Sequence, residues 1–268
     1  MAQSLLDTLF HHILALGMGI ARIFPCLLLT PVFSFTMLKG MIRTIVIISM
    51  GLFVTPHIAT QLEPVMTHGT LLVALLLKEV MIGLLVGLLL AMPFWLFESV
   101  GALFDNQRGA LVGGQINPTL GPDATPLGHL LLQWFMLLMI LSFGLKLITQ
   151  VLWDSYTLWP VGKWFPPLTE QGYAQLLKLI GNMFSNIVLF AGPLVLVLLF
   201  IDFLIGIISL YSQQLQASSL TPPLKCLAGM LFLILYLPML DWLAEGQLIA
   251  LRDLIPVLQP VMTYGESP

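Results

Sequence analysis

An all-α integral membrane protein, built as a single domain of about six apolar helices, is predicted by three features of this chain. Of its 268 residues, 58% are hydrophobic and only 9% charged, whereas an ordinary soluble domain is roughly a quarter charged. Mean hydropathy is +0.99, so water is the wrong solvent for most of the sequence. Six apolar stretches punctuated by Pro, Gly and isolated charges fill nearly the whole length, and each reaches the roughly 20 residues of a membrane helix or comes close to it.

The elements follow in order. The first runs from about Leu9 to Thr30 and the second from about Leu38 to Val54, where Pro56 is expected to stop it. The short link Pro31 to Thr36 makes these two a helical hairpin. The first cation is Arg22, well inside the apolar run; a secretory signal begins with a basic region, so the first helix is expected to be retained. The third segment, Thr70 to Asn106, is longer than the roughly 30 Å hydrocarbon core allows at 1.5 Å per residue, and Pro93 is its expected bend. A loop from Gly109 to Gly128 leads to a fourth helix, Leu127 to Trp153, and a second loop, Trp159 to Gly172, carries Pro160, Pro166 and Pro167. The fifth helix, Tyr173 to Gln216, is again overlong, with Gly192-Pro193 dividing it. The sixth starts at Pro222-Pro223, crosses Pro238 and extends toward Leu258, and the tail from Thr263 to Pro268 is expected to be disordered. Two long, Pro-broken helices suit a protein-lined assembly better than independent spans in lipid.

Net charge is only -3 and the charged residues are scattered singly. No basic stripe is present to neutralise a phosphate backbone, which excludes nucleic acid as an expected partner. Membrane orientation is set by the cation bias between alternate loops. Here Lys39, Arg43, Arg108 and Lys225 nearly balance Lys78, Lys146, Lys163, Lys178 and Arg252, so no sidedness is assigned. Cys26 and Cys226 are far apart and lack a metal or disulfide spacing, and read as small packing residues. Catalytic spacings are missing too. There is no HExxH, His11, His12, His57, His68 and His129 fall in different segments, and Gly162-Lys163 is followed by Trp164 rather than by the Ser or Thr of a phosphate-binding loop. No catalytic residue, metal or cofactor is expected.

Ionisable residues inside apolar segments are costly and face protein or water. Arg22, Glu79, Glu98, Lys146 and Asp202 qualify, with structural ion pairs between helices or at subunit interfaces as their expected role. Lys78 and Glu79 are adjacent and are expected to point apart. Glu98 with Asp202 is the one carboxylate pair to nominate for a proton relay, and it requires the third and fifth helices to be neighbours. Gly83, Gly87 and Ala91 line one helical face, where backbones approach closely. Asn182, Ser185 and Asn186 share a face of the fifth helix, which points to protein or an aqueous cavity rather than lipid.

The most informative stretch is Pro93-Phe94-Trp95, then Glu98, then Asp105-Asn106-Gln107-Arg108-Gly109, then Asn117-Pro118 and Thr125-Pro126-Leu127-Gly128. Asp105 and Arg108 can meet at a spacing of three as a structural clasp, and Gly109 suits a helix C-terminus. From Ala110 to Leu120 there is no charge at all, while Gly113-Gly114 and Asn117-Pro118 make the segment bendable. An ordinary surface loop is more polar; this one suits a protein-lined passage.

These motifs, in this order, resemble the SctT family of type III secretion export-apparatus proteins, the injectisome counterparts of flagellar FliR. Pro223-Leu224-Lys225 adds an anchor similar to the family's Met-Pro-Leu-Lys element. A departure is Leu210 to Ser219, where relatives carry a Pro-Gln-Leu-Asn-Val-Phe-like run and this chain has Tyr211-Ser212-Gln213-Gln214-Leu215-Gln216-Ala217-Ser218. The resemblance implies a non-catalytic export-gate subunit in the bacterial inner membrane, assembled with SctR-like and SctS-like subunits around a conduit for unfolded, secreted polypeptides. It further implies that residues Gly109, Leu111, Gly113, Gly114, Asn117 and Pro118 belong to a plug, and that a turn with Pro223 and Lys225 faces an SctU-like switch protein. The alternatives are a flagellar-type gate subunit, a self-contained solute transporter or a membrane enzyme. A transporter requires a pocket of converging polar groups.

Overall fold

The computed structural model describes residues 2–33, 40–62, 69–109, 125–163, 170–211 and 217–262. All regular structure among them is helical: α1 Ala2–Leu29, a 3-10 turn Pro31–Phe33, α2 Met41–Leu62, α3 Gly69–Arg108, α4 Pro126–Ser142, α5 Lys146–Leu158, α6 Glu170–Tyr211, α7 Ala217–Arg252 and α8 Leu254–Met262. Five of these helices are long and apolar enough to cross a membrane, or six spans if α4 and α5 count as one broken span. The chain is thus an all-α, multi-pass membrane protein.

Several expected limits shift, and each shift has a local cause. The fourth segment is two helices, because Phe143–Leu145 leaves the helical path with Gly144 at φ +67°, a conformation that costs glycine nothing. Pro56 does not end α2, which continues to Leu62. Pro93 and Pro193 likewise lie inside α3 and α6, and the expected division at Gly192-Pro193 is not a helix end. A proline removes one ladder hydrogen bond but leaves the flanking apolar turns free to keep their packing. The last long helix starts at Ala217, ahead of Pro222-Pro223, and a new helix takes over at Leu254. The tail 263–268 lies outside the described residues.

Packing divides the chain into two compact units, one of Met1–Met92, Phe143–Leu176 and Leu251–Pro268, the other of Pro93–Ser142 and Leu177–Ala250. The α1 and α2 hairpin anchors the first. A Cβ at Gly51 would lie 3.0 Å from Ile20, and one at Gly19 would lie 3.2 Å from Ile58, so the two helices meet where side chains are smallest. Tyr156 of α5 donates its hydroxyl to the Gly19 carbonyl at 2.8 Å. The Gln61 amide oxygen accepts the Val161 N–H at 3.0 Å, and His11 Nε2 lies 2.8 Å from the Ala59 carbonyl.

An aromatic core organises the second unit. Phe97 stacks on Phe135 with centroids 4.6 Å apart, Phe94 meets Phe135 edge-on at 5.1 Å, and Phe190 of α6 lies 6.0 Å from Phe97. Edge and offset geometries of this kind add to simple burial. Gly229 of α7 fits against Phe104 and Leu198, since a Cβ there would come within 2.8 Å of the Phe104 ring. On α6 and α7 many large apolar side chains face outward, among them Leu196, Phe200, Phe203, Leu227, Leu231 and Leu235. Apolar surface on that scale marks contact with lipid or with other membrane chains.

Candidate functional site

In the first unit Arg22, alone and cationic in α1, is wholly buried. Its guanidinium donates from Nε to Glu79 Oε2 at 2.6 Å, from Nη1 to the Ser155 carbonyl at 2.7 Å and from Nη2 to the Trp159 carbonyl at 2.8 Å. It also lies over the Tyr156 ring, 4.1 Å from the centroid. The planar fork of five donors is what allows one side chain to satisfy all these acceptors. The Ser155 and Trp159 carbonyls lie at the C-terminal end of α5, where a cation is favoured by the helix dipole.

Lys78 completes the cluster and corrects the expectation that it points away from Glu79. Its Nζ lies 2.9 Å from Glu79 Oε1 and donates to the carbonyls of Pro160, Val161 and Lys163 at 3.2, 2.9 and 2.8 Å. The long lysine stem bends round to the turn after α5, and that turn draws both side chains to one side. The small residues of α3 bring the backbones together just here. A Cβ on Gly83 would collide with the Arg22 carbonyl, and one on Gly87 would lie 2.7 Å from the Cys26 Cα, while Ala91 is buried.

The second unit joins the two ends of the segment that separates α3 from α4. Asp105 is fully buried; its Oδ1 lies 2.6 Å from Arg108 Nη2, and its Oδ2 accepts the Leu127 N–H at 2.7 Å. One carboxylate thereby closes the C-terminal turn of α3 and caps the first turn of α4, where an anion is favoured. Gly109 has φ +84°, and its N–H donates to the Asn106 carbonyl at 3.2 Å. One turn earlier a Cβ on Gly101 would lie 2.6 Å from the Gly128 Cα, and one on Gly128 would sit 2.9 Å from the Glu98 carbonyl. Motifs separated by 15 or more positions in sequence therefore form one clasp. Leu111, Gly113, Gly114, Asn117 and Pro118 lie outside the described residues.

Lys225 adds a second tie. It donates to the Gln107 carbonyl at 3.0 Å and pairs with Asp202 at 2.5 Å. The expected turn around Pro223 and Lys225 is instead part of α7; Pro223 is exposed, but Lys225 is buried and turned toward its own chain. Asp202 thus has a cation partner rather than Glu98, whose electrostatic neighbour is His129. Cys226 is exposed rather than packed, with its sulfur 3.6 Å from Arg108 Nη1. Of the polar face on α6, Asn182 and Ser185 are exposed and Asn186 half-buried. Among the described residues no group of three His, Cys, Asp or Glu side chains is placed to hold a metal.

Sequence reasoning missed Lys78, the α5 carbonyls and Gly101. A signal existed for the first: Arg22 in α1 and Glu79 in α3 have opposite sign inside apolar sequence, and Lys78 beside Glu79 then supplies an excess cation for a nearby turn of carbonyls. Nothing local marks Gly101, whose role depends on which helix crosses it.

Residues 13–250 match the sequence model of "Bacterial export proteins, family 1". The chain is similar to Yop proteins translocation protein T of Yersinia pestis, 30% identical over 261 residues, covering 96% of this chain and 98% of that protein. It is similar to the surface presentation of antigens protein SpaR of Salmonella typhimurium, 30% identical over 228 residues and 84% of each chain. The flagellar biosynthetic protein FliR of Pectobacterium carotovorum is more distant, 24% identical over 234 residues, 87% of this chain and 88% of that one. With the match spanning all the helices that carry the clasp and the buried cluster, the chain belongs to the bacterial export proteins of family 1, as a multi-pass membrane subunit of the SctT type in a type III secretion export apparatus.

Proposed function

We propose that the chain is a non-catalytic subunit of the export gate in the bacterial inner membrane, lining and plugging the conduit through which unfolded proteins are secreted. It would assemble there with SctR-like and SctS-like subunits and meet an SctU-like switch protein. The observation that carries this reading is the hydrogen bond that the Leu127 N–H donates to Asp105, which draws the two ends of the 109–128 segment together. With its ends fixed by charge and by the Gly101 to Gly128 backbone contact, the uncharged middle can be displaced by a passing polypeptide without loosening the helices on either side. The outward apolar faces of α6 and α7 supply surface for the other subunits and for lipid.

Deleting Leu111 to Leu120 tests it. The expected outcome is normal assembly, measured by the mass of the gently solubilised complex, together with a membrane leaky to small ions. A complex that assembles and keeps the membrane tight would remove the plug from the proposal.

A further inference from the structure

The gate reading leaves unused a groove in the first unit. α5 has 13 residues, about 20 Å at 1.5 Å per residue, and is amphipathic. Its Leu147, Ile148 and Val151 are buried, whereas Lys146, Thr149 and Gln150 are exposed and Asp154 half-buried on the opposite side. A short helix with one polar face and a tryptophan beside it suits the headgroup level of a bilayer. Alongside it opens a cavity of about 690 Å³, a size typical of ligand sites. Its wall is mostly apolar, with Ile23, Met50, Phe53, Val54, Leu152 and Trp153 outnumbering Ser49, Thr149 and Gln150, and with Phe53 and Trp153 in ring contact at 5.3 Å. Lys146 and Asp154 both border it, and both also border an adjoining cavity of about 200 Å³, where Arg252, paired with its neighbour Asp253, is the other charged lining residue.

These two charges decide what fits. They stand eight residues apart on one side of α5, about 12 Å along its axis, a gap that the lysine stem shortens by leaning over apolar surface. Among the described residues neither side chain is in an ion pair. An apolar cleft edged by one cation and one anion is complementary to a molecule with a long apolar tail and both signs of charge in its head. We propose that the groove holds one phospholipid with a phosphate and an ammonium group in its headgroup. The phosphate meets Lys146, the ammonium faces Asp154, and an acyl chain lies along Met50, Phe53 and Trp153. A purely anionic headgroup is disfavoured by Asp154. A protein helix, 10–12 Å across, would fill the volume in roughly two turns, which a thin flexible tail does not.

The test uses the chain co-purified with its export-apparatus partners and incorporated into vesicles of equal parts phosphatidylethanolamine and phosphatidylglycerol. Gentle re-extraction and native mass spectrometry then count the lipid retained. The expected result is a single ethanolamine lipid held per chain. Asp154→Asn should lower its retention about tenfold relative to the glycerol lipid, as for the loss of one charge-assisted contact, and Lys146→Gln should lower retention of both. Both positions lie on the rim, so folding is not at stake; a photo-crosslinking residue at Met50 gives a second readout. Equal retention of the two lipids by the unaltered chain, retention unchanged in both variants, or crosslinks from position 50 to a partner subunit in place of lipid would each overturn the proposal.

Discussion

In the first unit Arg22 and Glu79 meet with both side chains wholly shielded, while in the second Lys225 meets Asp202 with the carboxylate 34% exposed. The first cluster spends its donors on the backbone of a turn: six of its contacts go to carbonyls of Ser155, Trp159, Pro160, Val161 and Lys163 or to the Ser155 hydroxyl. It is a weld, since removing any member leaves a buried charge or buried carbonyls without water to replace the partner. In the second unit Asp105 and Arg108 stand beside the 109–125 interval, whereas Lys225 ties α7 to α6 at Asp202 and to the end of α3 at Gln107. There Asp105, although fully buried, closes a chain segment, and Asp202 is open enough for water to stand in for its partner. Ion pairs of one chemistry thus fix the scaffold in one place and hold the ends of an intervening chain segment in another.

The buried cluster is most vulnerable at Glu79. Glu79→Ala strands two buried cations, at a cost of about 3–5 kcal/mol, and should abolish recovery of folded protein after mild heating in detergent. Replacing the set together, Arg22→Met with Lys78→Met and Glu79→Leu, removes the charges as well as the attraction and should recover much of that loss, less what the freed turn carbonyls cost. If the triple variant fares no better than Glu79→Ala, the cluster's carbonyl contacts outweigh its ion pairs.

Asp105→Ala has an intermediate effect. It frees the Leu127 N–H and the Arg108 guanidinium together, for about 1–3 kcal/mol, and should lower the thermal midpoint of the solubilised complex while increasing proteolysis between Gly109 and Thr125. A lowered midpoint with unchanged cleavage would separate the clasp from the segment it closes. The smallest effect is expected at Lys225→Met. It loses the Gln107 carbonyl contact and a pair whose carboxylate stays one-third exposed to water, for about 1 kcal/mol, so the midpoint should move less than for Asp105→Ala and part of the shift should shrink in high salt. A large, salt-independent loss would place Lys225 with the welded cluster.

Much of this was legible from local chemistry. The apolar segments follow from composition, the Asp105 to Arg108 spacing from helix geometry, and the left-handed turn from Gly109. The close approach at Gly83 and Gly87 was readable as a small-residue face, although not its partner, the backbone of α1 at Arg22 and Cys26. Less legible were the helix end expected at Pro56 and the division expected at Gly192-Pro193, since a proline marks a missing hydrogen bond while neighbouring packing decides whether the helix stops. The break at Gly144 also escaped notice, because glycine is common in apolar helices and only its φ distinguishes a hinge from a packing site.

That this chain lives in a membrane, that it is helical, and which short motifs flank an uncharged segment all follow from its residues alone, because solvent preference and helix spacing are local properties. The pairing of Arg22 with Glu79 and Lys78, the reach of Asp105 to Leu127 and the inward turn of Lys225 to Asp202 come from the packing of helices. A buried charge must find its partner among whatever the fold brings within about 3 Å, and nothing in the spacing of residues along a chain specifies which distant helix that is.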